Sequence, residues 1–231
     1  MIYAWVDGVK RQPKAKGETS VCTGCGGKLF AVISPTRIAH WRHRGGDCDS
    51  WSEAEGPWHL QWKSIFPIEW CEVTLKNQAG ETHRADVLVP SSCGASLVLE
   101  LQHSFITIEE MFIREKFYKE DHRMFWLVHL YQDNKSNSSF NFEMSLNTPL
   151  ATHEVKGKKF EVHEWIMRGN FLEKWKSSTA HVFLDVRGRI FYLATLAACK
   201  DLVSSLNPKE FAIARLTRQE FIKAAGAVIN I

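Results

Sequence analysis

Apolar and polar positions along the chain repeat with two periods, and each change of period marks an element. In the first fifty residues, short β-like runs at 2–6, 29–33 and 38–43 surround a basic, glycine-containing loop. After Pro57 the period lengthens: Trp58, Trp62, Ile65 and Phe66 recur at i, i+4, i+7 and i+8, the spacing of one helix face. Pro57 suits a first helical turn, where its missing N–H costs nothing, and Pro67 ends the run. Period-two runs return at 69–76, 84–89 and 96–102, separated by NQAG and PSSCGA, which read as turns.

The second half repeats this alternation. Thr107 and Glu110 form a T-x-x-E capping box, and Ile106 and Met111 occupy the staple positions. The helix that follows is predicted to turn Ile108, Met111, Phe112 and Tyr118 inward. A buried strand is expected at 123–131 and a polar loop at 133–142. A hairpin over Arg187-Gly188 joins 181–186 to 189–194, and helices follow near 195–205 and 217–225. Helix, strands, helix and strand in this order predict an α/β fold: a mixed sheet flanked by helices.

Composition adds limits. The 231 residues are 45% hydrophobic and 24% charged, an ordinary globular recipe able to bury a core without staples. No internal period suggests a repeat array, and no apolar run approaches the length of about eighteen residues needed to span a bilayer. The opening MIYAWVDGVK lacks the basic and apolar regions of a secretory leader, so a cytoplasmic address is expected. A net charge of +3 permits a nucleic-acid partner without requiring one. Six cysteines without a leader argue against a disulfide framework. The change of texture near residue 50 suggests a small cysteine/histidine module at 1–50 ahead of a larger domain at 51–231.

Four constellations carry chemistry. Cys22-x-x-Cys25 lies on a glycine-rich turn, and His40, His43 and Cys48 follow it, five candidates for the four positions of a tetrahedral zinc site. A redox C-x-x-C should open a helix, whereas Gly26-Gly27 follow here; reduced cysteines and surface histidines are the plain alternative. Next, His59 and Lys63 lie four apart on the first predicted helix, with Glu55 just ahead of its Gly56-Pro57 start. The segment by itself favours a solvated helix face for this pair. Third, Asp86 lies within the apolar strand RADVLVP and Glu100 near the end of SLVLELQ, where period two puts Glu100 and Gln102 on one face. Carboxylates on apolar strands are costly unless paired or metal-bound; Asp86 either pairs with a cation such as Arg84 or, with Glu100, suits Mg²⁺ or Mn²⁺. Last, Arg114 and Tyr118 lie four apart on the capped helix.

In order and spacing these pieces resemble the CoiA-like (competence protein) family, which carries a variant PD-(D/E)XK nuclease domain behind a cysteine/histidine module. Cys22-Thr-Gly-Cys25, His40-Trp-Arg-His43, Cys48, Glu55 with His59 and Lys63, Ala85-Asp86-Val87, Glu100-Leu-Gln102-His103-Ser104 and Arg114 with Tyr118 match its pattern over residues 22 to 118, and the resemblance extends loosely to about 194. It implies a PD-(D/E)XK nuclease-like mixed sheet with an N-terminal zinc knuckle. Asp86 and Glu100 would be metal-binding carboxylates, with His59 a further ligand and Glu55 an accessory acid. Gln102 stands where the superfamily usually has lysine, and Lys63 could replace that cation. Arg114 and Tyr118 would lie near the DNA backbone or support the site. Arg42 and Arg44, with Arg37 and Trp41 nearby, could meet phosphates or an unpaired base. The implied activity is metal-dependent DNA hydrolysis in DNA uptake, recombination or defence, with structural Zn²⁺ and catalytic Mg²⁺ or Mn²⁺. Expected partners are DNA, recombination or defence proteins, and a second copy of the chain if both strands are cut; no membrane is expected. The alternative is a DNA-binding accessory protein whose nuclease fold cuts weakly or not at all.

Overall fold

A computed structural model describes residues 1–227 apart from 93, 135 and 170. The chain forms two compact units, Met1–Leu99 and Glu100–Ile231. The texture change near residue 50 falls inside the first.

In the first unit, β1 (Ala4–Val6) and β2 (Val9–Arg11) form a small antiparallel hairpin. Strands β3 (Thr19–Val21), β4 (Lys28–Ser34) and β5 (Arg37–Arg42) make an antiparallel sheet. Its small core holds Ala4, Cys22, Leu29 and Trp41. Trp41 is buried, and its indole N–H donates to the Arg11 carbonyl at 3.0 Å. Stacking of Trp41 on an unpaired base is therefore excluded; the ring is core. Helix α1 (Pro57–Lys63) starts as its proline demands. A 3-10 turn, Ile68–Trp70, leads into β6 (Cys71–Lys76). Strand β6 pairs antiparallel with β7 (Thr82–Val89). Strand β8 (Leu97–Gln102) contains the division between the units, and its first three residues pair antiparallel with β7. In the turn before it, Cys93 lies outside the described residues.

The second unit is built on strands in the order β10, β11, β14, β13, β12, β9. Helix α2 (Ile108–Lys119) precedes β9 (Arg123–Leu130). Then come α3 (Ser138–Ser145), β10 (Ala151–Val155), β11 (Lys158–Glu164) and α4 (Phe171–Lys176). Strand β12 (His181–Val186) and β13 (Arg189–Leu193) form the predicted hairpin; α5 (Leu196–Ser205), β14 (Glu210–Leu216) and α6 (Arg218–Ala224) follow. Strands β9 and β12 run parallel, and the other pairs are antiparallel, so the sheet is mixed. Both parallel strands read as nearly unbroken apolar runs because both of their faces are covered. Helices α2 and α3 pack against β9, and α6 against β13. No helix among the described residues is long and apolar enough to cross a membrane.

Two expectations are corrected here. The polar stretch at 133–142 is not all loop, since α3 starts at Ser138 (Lys135 lies outside the described residues). Its single large apolar anchor, Phe142, is fully buried and meets the rings of Phe191 and Phe211 at 5.1 and 5.7 Å. Tertiary burial overrides weak helix propensity there. Helix α2 follows its predicted face only in part. Met111 and Tyr118 are buried as expected, but Arg114 and Glu115 join them, while Ile108 and Phe112 face solvent. The cap is half a box: Thr107 accepts from the Glu110 N–H at 3.1 Å, whereas the Glu110 carboxylate bonds Arg114 instead.

Candidate functional site

The first unit holds two clusters. On the turn after β3, the Cys22 and Cys25 thiols meet His43 and Cys48, all four ligand atoms lying within 4.8 Å of one another. Cys22 and Cys48 Sγ are 3.7 Å apart, and Cys25 Sγ and His43 Nε2 are 3.3 Å apart. Ligands about 2.0–2.3 Å from a tetrahedral centre are separated by about these distances, so this Cys₃His set can hold a structural metal such as zinc. Gly24 and Gly27 N–H groups lie 3.4 and 3.3 Å from the sulfurs of Cys22 and Cys25, the backbone support a thiolate pair needs. Among the protein groups alone, burial and then Cys22 push the Cys48 thiol up to about 12. A divalent ion held by Cys22, Cys25, His43 and Cys48 would reverse that balance, the thiols giving up their protons to it.

His40, the fifth candidate, is not in the set. Its Nδ1 lies 2.8 Å from the Ile38 carbonyl oxygen. His40 lies within β5, paired with Val32, whereas His43 follows the end of the strand. It lines instead a cleft of about 530 Å³ with Arg37, Glu53, Glu55 and Pro57. Arg42 and Arg44 are exposed, the Arg44 guanidinium lying 4.6 Å from the Phe30 ring centre.

The second cluster surrounds Lys63. The expected solvated helix face is not found: His59 and Lys63 are each 1% exposed. The Lys63 ammonium contacts Glu55, lies 2.9 Å from Asp86 Oδ1 and 3.3 Å from Glu72 Oε1. Asp86 thus takes Lys63 as its cation, and Arg84 pairs with Asp47 at 3.0 Å. Glu72 was not anticipated from the sequence. It sits between the Cys71–Val87 and Val73–Ala85 pairs of β6 and β7 with φ +52°, and its carboxylate accepts from the Ile2 and Tyr3 N–H groups at 2.9 and 2.7 Å. Burial alone would raise Glu72, but Lys63, then the Met1 ammonium, Arg84 and the Ile2 N–H outweigh it and hold the carboxyl down at about 2. Burial wins at Glu55, which is pushed up to about 7 despite Lys63. Burial works against the Lys63 charge, but Asp86, Glu72 and Glu55 outweigh it and raise its pKa well above the usual lysine range. His59 accepts from the Gly56 N–H through Nδ1 at 3.2 Å, and its Nε2 is 3.7 Å from Glu53. The ring is thereby fastened to the helix start on one side and faces a carboxylate on the other.

In the second unit, Glu100 and Gln102 are buried, as an apolar strand requires of them. Arg114 Nη1 lies 3.8 Å from Glu100, and Arg114 Nε donates to Glu110 at 3.1 Å. Gln102 Nε2 donates to the Ser104 carbonyl at 2.9 Å. Tyr118 is 1% exposed, which fits support of the fold rather than direct contact with DNA.

The chain has been compared with protein-family models, curated proteins and solved structures, and none of them matches it.

Proposed function

We propose that the protein is a divalent-metal-dependent DNA nuclease, hydrolysing phosphodiester bonds in DNA uptake, recombination or defence against foreign DNA. The observation that carries this reading is the Lys63–Asp86 contact of 2.9 Å. It supplies an ammonium beside a candidate metal-binding carboxylate in a chain whose Gln102 stands where the resembled superfamily keeps its lysine. Asp86 is the more open of the two buried-strand partners of Lys63, 21% exposed against 2% for Glu72. Glu72 is saturated by backbone donors and serves to hold Lys63. The division of labour fits one anchoring carboxylate and one available to a ligand.

The donor set is of the kind Mg²⁺ or Mn²⁺ prefers, hard carboxylate oxygen with neighbouring acid groups. When bound, such an ion would supply Lewis acidity and a water of lowered pKa. The chain's own residues would do the rest. Asp86 would hold the ion, and the resemblance alone adds Glu100. Lys63 would orient Asp86 and offset part of the negative charge of the surrounding carboxylates. Glu55, held near neutral pH by burial, could give or take a proton at its carboxyl. His59, with Nδ1 engaged by Gly56, would position the start of α1. The neighbouring cleft offers room for a phosphate backbone, with Arg37 as a cation on a wall it shares with Glu53 and Glu55. The Cys₃His set would carry structural zinc.

The test is cleavage of single-stranded, double-stranded and branched DNA by purified protein with Mg²⁺, Mn²⁺ or EDTA, alongside Asp86→Asn and Glu100→Ala. Metal-dependent cleavage that both variants lose would establish the reading. If Asp86→Asn cuts like the wild type, Asp86 is not a ligand. DNA binding that persists in EDTA without cleavage of any substrate would favour the accessory-protein alternative. The Gln102 amide, already bonded to Ser104, would then be the natural reason.

A further inference from the structure

Helix α2 carries apolar residues on both sides: Met111, Phe117 and Tyr118 are buried, and Ile108, Phe112 and Ile113 are exposed. Its buried side contains two charged groups, both satisfied: Arg114 by Glu110 and Glu100, and Glu115 by Trp126 Nε1, the Ser178 hydroxyl and the Thr179 N–H and hydroxyl at 2.5 to 3.0 Å. Its exposed side carries Phe112 and Ile113, 39% and 54% exposed, with Ile108 at 38% on its edge. Phe105, two residues before the cap, is 82% exposed. Four large apolar side chains in nine residues of surface make a patch of the kind that marks an interaction site.

The charges around the patch indicate its occupant. At about 100° per residue, Glu109, Phe112, Ile113 and Lys116 fall within one stripe roughly 100° wide. All four are exposed. Glu109 and Lys116 are seven residues apart, about 10 Å along the axis, one on each side of the apolar pair. The stripe therefore reads acid, apolar, apolar, base, and its complement is the same stripe reversed.

We propose that two copies of the chain associate about a two-fold axis through this stripe, with their α2 helices antiparallel. An axis between Phe112 and Ile113 brings Phe112 opposite Ile113 of the partner subunit and Glu109 opposite Lys116 of the partner subunit, twice over. A parallel arrangement would set like charge against like, and antiparallel packing also opposes the two helix dipoles. A two-fold contact needs a surface complementary to itself, and this one is. One short helix with Phe105 and Ile108 beside it is small by the standard of stable interfaces, which bury about 1,600 Å² in total, so a concentration-dependent dimer is expected rather than a permanent one. The proposal is independent of the nuclease reading.

Sedimentation equilibrium of the full chain over a wide concentration range tests it. The wild type should pass from monomer to dimer, and Ile113→Asp should remain monomeric with an unchanged circular-dichroism spectrum and melting temperature. Glu109→Lys and Lys116→Glu, which set like charges against each other across the axis, should each weaken the dimer about tenfold or more. The double variant Glu109→Lys/Lys116→Glu should regain wild-type association, because only an antiparallel pairing of these two positions restores both contacts. A wild type that stays monomeric overturns the proposal, whether or not the patch then binds DNA or lipid vesicles. So does a dimer unmoved by Ile113→Asp, or single reversals that the double variant fails to rescue.

Discussion

The Lys63 ammonium lies 2.9 Å from Asp86 and 3.3 Å from Glu72, so one helix residue ties together carboxylates on two neighbouring strands, β6 and β7. Lys63 is wholly buried, and Glu72 nearly so. Removing Lys63 takes the shared cation from Glu55, Glu72 and Asp86 in a low-dielectric setting, and breaking a buried pair in this way typically costs about 3–5 kcal/mol. The contact thus belongs to the fold as much as to any chemistry at Asp86.

Acid should expose this. Glu72 is held at about 2 in the folded chain, below the ordinary glutamate value of about 4.3. Its contribution is present above the unfolded value and is lost as pH falls through the folded one. At about 1.4 kcal/mol per unit this amounts to roughly 3 kcal/mol. Urea midpoints should fall from about pH 5 downward, and Glu72→Gln, less stable at pH 7, should show a shallower fall. Parallel profiles for the two proteins would mean that Glu72 is not depressed.

Metal content should separate the two histidines of the first unit. His43→Ala removes a ligand of the Cys₃His set, whereas His40→Ala removes a residue bonded to a carbonyl outside it. Elemental analysis should give about one zinc per chain for the wild type and His40→Ala, and much less for His43→Ala. Chelation should lower the melting temperature of the first two alone. Equal zinc in all three proteins would remove His43 from the set.

Alkaline pH probes the second unit. Burial lowers Lys174 to about 8, only partly opposed by Glu110, although its ammonium donates to the Ile106 carbonyl at 2.6 Å. Between about 8 and the unfolded value near 10.4 the unfolded chain binds more protons, so this group's contribution to stability rises with pH. The difference in stability between Lys174→Met and the wild type should therefore shift in favour of the wild type across that window. A constant difference would place Lys174 in ordinary solvent.

Phe142→Ala tests the helix that polarity concealed. The ring is fully buried between Phe191 and Phe211, and its truncation should cost about 3–5 kcal/mol with little change in the urea m-value. A loss below about 1 kcal/mol would mean that α3 is not anchored there.

The elements readable from the chain are those whose signals are local. The Pro57 start, the Thr107 cap and the hairpin at β12 and β13 were legible because capping, proline geometry and two-fold periodicity act over a few residues. Cys-x-x-Cys with Cys48 was legible for the same reason: metal spacing is written along the chain. The choice between His40 and His43 needed the folded chain, because both follow Cys-x-x-Cys at suitable spacing and only His43 lies with the thiols in space. Tertiary structure decided that His59 and Lys63 are buried, because the acids that compensate Lys63 come from β6 and β7, and Glu72 shows no motif at all. It also added Arg114 and Glu115 to the buried side of α2 and left Ile108 and Phe112 outside. A helix buries the face whose neighbours satisfy it, and the partners waiting for Arg114 and Glu115 lie as far away as Glu100 and Thr179, beyond the reach of any local period.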